Sequence, residues 1–288
     1  MGDVLTPDQL GLVAKLKEAV SGVVQAHDSL KVFCNEHTYV RYLRARQWNL
    51  QKATKMLNDT LQWRLEYKPH LLRWDDVKVE ANSGKHFLYP APDKQGRPIV
   101  MMRPRLEDTK THETQIKFLV YDLEMASAIA DKTGVGKMCW ILDFGGYSLS
   151  NAPPIKVSLH CNNILMNHYP ERLGLAICYH SPTLFSLTWR AVSPFIDPVT
   201  KQKIIFVDKG PKEQKEMGDR FNMEEMEEAI GGGVKRFVYN KDDYEKLCRK
   251  FDEETEASLK AAKEGNTVEA GKVSAGQGGV TQVTVTAI

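Results

Sequence analysis

The chain has 288 residues, of which 42% are hydrophobic and 26% charged, and its formal net charge is +2. That length supports one large domain with a small appendage, or two modest domains. Near-neutrality argues against a dedicated nucleic-acid binder, which carries a strongly basic balance, but allows a local basic patch facing an anionic lipid or metabolite.

In chain order, Met1-Gly2-Asp3-Val4-Leu5-Thr6 lacks the basic and apolar regions of a secretory signal and fits the loose M-G-x-x-x-[ST] myristoylation pattern. Thr6-Pro7-Asp8 is a helix start: a cap, then proline and an acid in the first turn. Leu10, Val13, Leu16, Val20 and Val24 follow at helical spacing. Asn35 can cap a second helix carrying Tyr39, Tyr42 and Leu43, and Asn49 a third that ends before Pro69. Residues 5–75 thus read as a small helical unit. After Gly84 the texture changes. His86 to Tyr89 and Pro98 to Met102 read as strands around the turn Asp93-Lys94-Gln95-Gly96. A helix from Thr111 to Asp131, a strand from Met138 to Leu142, a helix from Ile155 to Asn167 and a strand from Leu173 to Tyr179 follow. A very apolar helix between Pro182 and Ile196 precedes a last strand, Lys203 to Val207. Alternation of helices with continuously apolar strands predicts an α/β domain over 80–245 with a mainly parallel sheet. Residues 250–288 read as an acidic helix and a disordered tail rich in Gly, Thr, Ser and Val.

The odd set Cys34, Cys139, Cys161, Cys178 and Cys248 contains no CxxC pair and sits largely in apolar runs, so buried reduced thiols are expected rather than disulfides or zinc. No apolar run approaches the ~18 residues that span a bilayer. Asp143-Phe144-Gly145 lacks the other kinase motifs, and Gly134-Val135-Gly136-Lys137 lies between a helix and the next strand, the reverse of the P-loop order. His112-Glu113 does not continue as a zinc helix, and no GxSxG elbow exists. The sequence shows no nucleophilic or metal machinery.

Three segments stand out: Tyr42-Leu43-Arg44-Ala45-Arg46-Gln47-Trp48, His168-Tyr169-Pro170-Glu171-Arg172-Leu173-Gly174, and Ser193 to Lys203. Read singly they are a helix end, a rigid connector and a turn with lysines. The last two can lie on one edge of the sheet, where loops gather ligands. Together they supply Arg46, Glu171, Thr200 and Lys203, a set suited to an inositol phosphate. Arginine forks onto phosphate oxygens, lysine adds a point charge, threonine donates, and a carboxylate accepts from hydroxyls.

YLRARQW with a following helix ending in Trp63-Arg64, the DKxGRP turn from Asp93 to Pro98, HYPERLG and PFIDPVTKQK occur in an order and spacing that resemble the CRAL-TRIO family of fungal-type phosphatidylinositol transfer proteins across roughly residues 35–240. The resemblance implies a small helical bundle packed on a lipid-binding domain whose pocket is closed by a mobile apolar helix. It carries the headgroup role onto Arg46, Glu171, Thr200 and Lys203, and more weakly onto Arg172. Gln47 departs from it, standing where the best-known member has a second basic residue. Val100, Met138, Trp140 and Leu165 occupy the positions of that member's choline cluster, so the phosphatidylcholine half of the signature is missing. Arg103 to Gln115 resembles a subclass that pairs phosphatidylinositol with sterol.

The expectation is a non-enzymatic cytoplasmic carrier without a cofactor other than bound lipid, a monomer that touches membranes transiently. Its partners are phosphatidylinositol and a second apolar lipid, not phosphatidylcholine, and no nucleic acid. Leu184, Phe185, Leu187, Trp189, Val192, Phe195 and Ile196 cover more of a helix circumference than one core stripe requires, which fits a lid as well as a fully buried helix. The rival reading is a lipid-loaded sensor that presents phosphatidylinositol to a phosphoinositide kinase. A nucleotide-dependent enzyme is weaker, because its glycine loops are misplaced.

Overall fold

The computed structural model describes residues 5–265 except Leu149 and Leu184. The myristoylation pattern at Met1-Gly2, the lid position Leu184 and the tail beyond 265 therefore lie outside the described residues.

The N-terminal unit holds α1 (Pro7–Gln25), α2 (Asp28–Phe33), α3 (Glu36–Ala45) and α4 (Leu50–Tyr67). The caps are those the sequence indicates. Gln9 N donates to Thr6 Oγ1 (3.3 Å) and Thr6 N to Gln9 Oε1 (3.0 Å), a reciprocal box. Asn35 and Asn49 accept from Thr38 N and Lys52 N. Lys68 turns left-handed (φ 56°) ahead of Pro69, whose ring excludes the helical conformation from its predecessor. Leu16, Val20, Leu30, Tyr42, Leu43, Leu57 and Leu61 form a core of their own. The six-residue α2 escapes sequence reading because it is too short to show a period.

α5 (Trp74–Ala81) was also not expected, and it buries Trp74, Val77 and Ala81 in the second core. The sheet follows: β1 (His86–Leu88), β2 (Ile99–Met102), β3 (Met138–Asp143), β4 (Leu173–Tyr179) and β5 (Ile204–Val207), in the order β1-β2-β3-β4-β5. β1 is antiparallel to β2, and the other pairs are parallel. The crossovers are α6 (His112–Lys132), α7 (Ile155–His168) and α8 (Phe185–Val192) with α9 (Pro198–Lys201). Every parallel step moves in the same direction across the sheet. Right-handed crossovers then place α6, α7 and α8 on one face. The other face is covered by α10 (Glu213–Gly218) and the chain up to 240, through Phe87 stacked on Phe237 and Gly231 N donating to Tyr179 Oη (2.8 Å).

The acidic helix differs from expectation. It is α11 (Lys241–Lys263), capped by Asn240 and starting nine residues before 250. Tyr244 and Cys248 belong to the main core, and Asp252 accepts from Trp74 N (2.9 Å) and from Tyr121 Oη (2.9 Å). It is a structural part of the sheet domain. Its charged outer face hides this, because the inward stripe is only one residue in three or four.

Candidate functional site

The bundle is joined to the sheet domain at the connector between α7 and β4. Arg64 of α4 forks onto Glu124 of α6 (2.9 and 2.7 Å), and Tyr169 Oη donates to the same carboxylate (2.7 Å). The guanidinium also lies over Phe33, 4.1 Å from the ring centre. Trp63 stacks on His168 (4.2 Å), and Thr60 Oγ1 donates to Asn167 O (3.0 Å). Arg41 donates to Pro170 O (3.4 Å) and Tyr42 Oη to His168 O (3.3 Å). Burial, then the charge of Arg64, pushes the His168 imidazole down to about 4, so the ring is neutral here.

Held from these sides, the connector tolerates Glu171 at φ 60°. Such a left-handed non-glycine costs about 1–3 kcal/mol and persists where its surroundings over-determine it. Gln47 and Trp48 in the first segment share this conformation (φ 50° and 60°).

Glu171 precedes β4, and its Oε2 lies 3.9 Å from Lys203 Nζ, the residue preceding β5. The same oxygen lies 4.0 Å from Lys137 Nζ, the residue preceding β3. Three adjacent parallel strands thus bring lysine, glutamate and lysine together at their amino ends. Open α/β sheets usually bind ligands at the carboxyl ends, at a switch point in strand order. A sheet that winds in one direction has no switch point. Its amino edge also collects the negative C-terminal ends of crossover helices, so an anion there needs cations rather than helix dipoles. Burial, then the charge of Lys203, lowers the pKa of Lys137, while Glu171 opposes the shift and Arg44 and Arg97 add to it.

Arg97 arrives from the DKQGRP turn. Asp93 locks that turn, accepting from Gln95 N (2.9 Å), Arg97 N (3.0 Å) and Arg97 Nε (2.5 Å). Gly174 makes room: a Cβ there would meet Arg97 Cδ at 2.7 Å and Lys137 Cβ at 3.2 Å.

The remaining expected residues are placed differently. The Thr200 hydroxyl donates to Asp197, whose other oxygen accepts Thr200 N (2.9 Å), so Asp197 caps α9 and the Thr200 proton is already engaged, while Thr200 O accepts from Lys203 N (3.0 Å). Arg46 donates to Ala45 O (2.9 Å) and lines a cleft of about 410 Å³ between α4 and α7 with Lys52, Lys55, Asn163, Asn167 and His168. Arg172 is committed elsewhere: it is buried, forks onto Asp131 (2.5 and 2.6 Å) and donates to Gly136 O (3.0 Å), tying α6 to β4. Its side-chain bonds run to α6 and Gly136 rather than to the Glu171 group. Asp143 is likewise occupied, by Arg103 and Arg105. Lys137 went unrecognised because Gly134-Val135-Gly136-Lys137 invited comparison with a phosphate loop. The usable signal was a lysine immediately before a strand, as Lys203 is.

The face of the sheet under α7 and α8 is apolar. Register pairs Val100 with Trp140, Trp140 with Ala176, and Ala176 with Ile204, which puts them on that face. Met138 follows the same alternation but sits beside a register shift against β4. Val100 and Met138 are fully buried, and Trp140 and Leu165 are half-buried. Trp140 Nε1 is buried without a hydrogen-bond partner.

α8 is not a buried helix. Phe185 packs on Phe144 (4.2 Å between ring centres) and Trp189 on Phe206 (5.3 Å), while Val192 and Ile196 are half-buried. Leu187 and Phe195 are each 62% exposed, and Val199 and Ile155 are exposed as well. Among the described residues the five cysteines are free thiols, no metal-holding cluster occurs, and no helix is long and apolar enough to cross a membrane.

Comparison with known proteins agrees with this architecture. Residues 82–232 match the CRAL/TRIO domain, and 13–59 its N-terminal domain. A CRAL-TRIO domain-containing protein of Schizosaccharomyces pombe is 31% identical over 74% of this chain, which spans 20% of that protein. The phosphatidylinositol transfer protein PDR17 of Saccharomyces cerevisiae is 34% identical over 61% of this chain and 53% of its own length. The chain therefore spans a fifth to about half of these two relatives. The crystal structure of Sfh5 superposes with a TM-score of 0.60 over 84% of this chain and 92% of that one, at 18% identity, a likeness of fold. With the family match extending over more than half of its residues and both units in the expected order, the chain belongs to the CRAL/TRIO domain family.

Proposed function

We propose that the chain binds phosphatidylinositol and exchanges it, together with a second apolar lipid, between membranes without a chemical step. The observation that carries this reading is the pair of lysines about Glu171 at the amino edge of a sheet whose adjoining face is apolar. The phosphate meets cations, the inositol hydroxyls meet a carboxylate, and the acyl chains lie on hydrocarbon. A carrier is needed because exposing about thirty methylenes costs roughly 24 kcal/mol at ~0.8 kcal/mol each. The two-faced α8 supports a lid: aromatic contacts hold it closed, and Leu187 and Phe195 offer an apolar surface to a membrane. Such a carrier works as a cytoplasmic monomer that docks transiently. The resemblance to PDR17, a phosphatidylinositol transfer protein, supports phosphatidylinositol as the ligand.

The second ligand is proposed to be a rigid hydrocarbon with one small polar group, such as a sterol. Val100, Met138 and Leu165 offer no donors for a choline phosphate, and the unpartnered Trp140 Nε1 supplies a single one. The test is transfer between two vesicle populations. Lys203→Ala removes a charge-assisted contact worth about 1.5–3 kcal/mol, so phosphatidylinositol transfer falls roughly ten- to hundredfold. A mutant rate equal to wild type would show the headgroup site to be misassigned.

A further inference from the structure

We propose that Lys137 is a second headgroup-binding cation, which holds the phosphodiester of the inositol lipid jointly with Lys203. This rests on the phosphatidylinositol reading above. Both ammonium groups reach the same oxygen of Glu171, at 4.0 and 3.9 Å, so they flank one small volume at the amino edge of the sheet. Glu171 bonds neither tightly, since both distances exceed a close charge-assisted bond of ~2.8 Å. Each lysine can shorten its contacts on an incoming anion.

The charge count points the same way. Lys203 and Glu171 alone are neutral, whereas Lys137, Lys203 and Glu171 together carry one surplus positive charge. A phosphodiester carries one negative charge. The group is partly withdrawn from water, with Lys203 18% and Glu171 25% exposed, so the attraction is screened less than at an open surface. Lys137, at 41%, remains reachable. Burial first and like-charge repulsion from Lys203 second disfavour the Lys137 ammonium, and a bound anion relieves the repulsion. The gap at Gly174 is what allows Lys137 and Arg97 to lie side by side.

The experiment uses the full chain and donor vesicles containing phosphatidylinositol. Lys137→Gln is expected to lower transfer about tenfold or more and to flatten its decline with added salt, while Lys137→Arg keeps most of the rate. Soluble glycerophosphoinositol is expected to compete, and inorganic phosphate at the same concentration is not. Wild-type transfer by Lys137→Gln, with Lys203→Gln impaired, overturns the proposal. So does an equal loss in Lys137→Arg, which marks a packing role, or equal competition by inorganic phosphate, which marks a general anion site. If the wild-type chain transfers no phosphatidylinositol at all, the functional reading itself fails, an outcome distinct from failure at Lys137.

Discussion

Replacing Glu124 with glutamine removes the charge opposite Arg64 while keeping an acceptor for Tyr169. Arg64 is 4% exposed and makes two bonds to Glu124, at 2.9 and 2.7 Å. Burial opposes the Glu124 carboxylate, but Arg64 outweighs it and holds the carboxyl below its usual range. Removing one partner of a buried pair costs about 3–5 kcal/mol, because the other charge stays uncompensated. The Phe33 face under the guanidinium retains part of the stabilisation, so the lower end applies. At roughly 2–4 °C per kcal/mol for a chain of this size, Glu124→Gln should lower Tm by about 6–12 °C. Adding Arg64→Met removes the stranded charge and should recover most of that loss. Urea unfolding of the four proteins in a double-mutant cycle measures both effects. A loss below about 1 kcal/mol in the single variant, or a double variant as unstable as the two losses added, would refute the claim that this pair fastens the bundle to the sheet domain.

Acid should loosen the same interface in two stages. His168 titrates at about 4 in the fold against 6.5 ordinarily, so its contribution is complete above pH 6.5 and is lost as pH falls from 6.5 towards 4. Glu124, held below 4.5, contributes above that pH and is lost as pH falls through its lower folded value. Thermal melts of His168→Phe, which keeps a ring against Trp63, should show a smaller first stage, the remainder coming from His70, which burial also lowers to about 4; an unchanged profile contradicts the assignment. With the other tryptophans replaced by phenylalanine, Trp189 fluorescence should shift on adding vesicles, and Leu187→Ser with Phe195→Ser should weaken that shift; a constant spectrum during active transfer counts against a moving α8. Phosphatidylcholine should transfer far more slowly than phosphatidylinositol in parallel assays with a labelled sterol, and comparable phospholipid rates would sink the reading of Val100, Met138 and Leu165. Gly174→Ala should impair phosphatidylinositol transfer by displacing Arg97 and Lys137, and a normal rate would mean that the crowded contact is unimportant.

Helix starts at Thr6, Asn35 and Asn49 were legible in the sequence because capping is local: a side chain three residues away satisfies the exposed backbone donors. The parallel strands were legible because burial on both faces leaves continuous apolar runs, and the connectors at 168–174 and 193–203 because their residues also carry a family resemblance. The order of the strands was not, and it decides the most. Winding in one direction puts all three crossover helices on one face and brings Lys137, Glu171 and Lys203, far apart in the chain, to one edge. Partner choice was equally hidden. Arg172 and Glu171 are neighbours in sequence, yet the turn at Glu171 sends one towards two lysines, while Asp131 at the end of α6 captures the other. Local sequence sets which conformations a segment favours, but a charged side chain's role depends on which opposite charge the fold carries to it. That pairing is a long-range outcome of topology and packing.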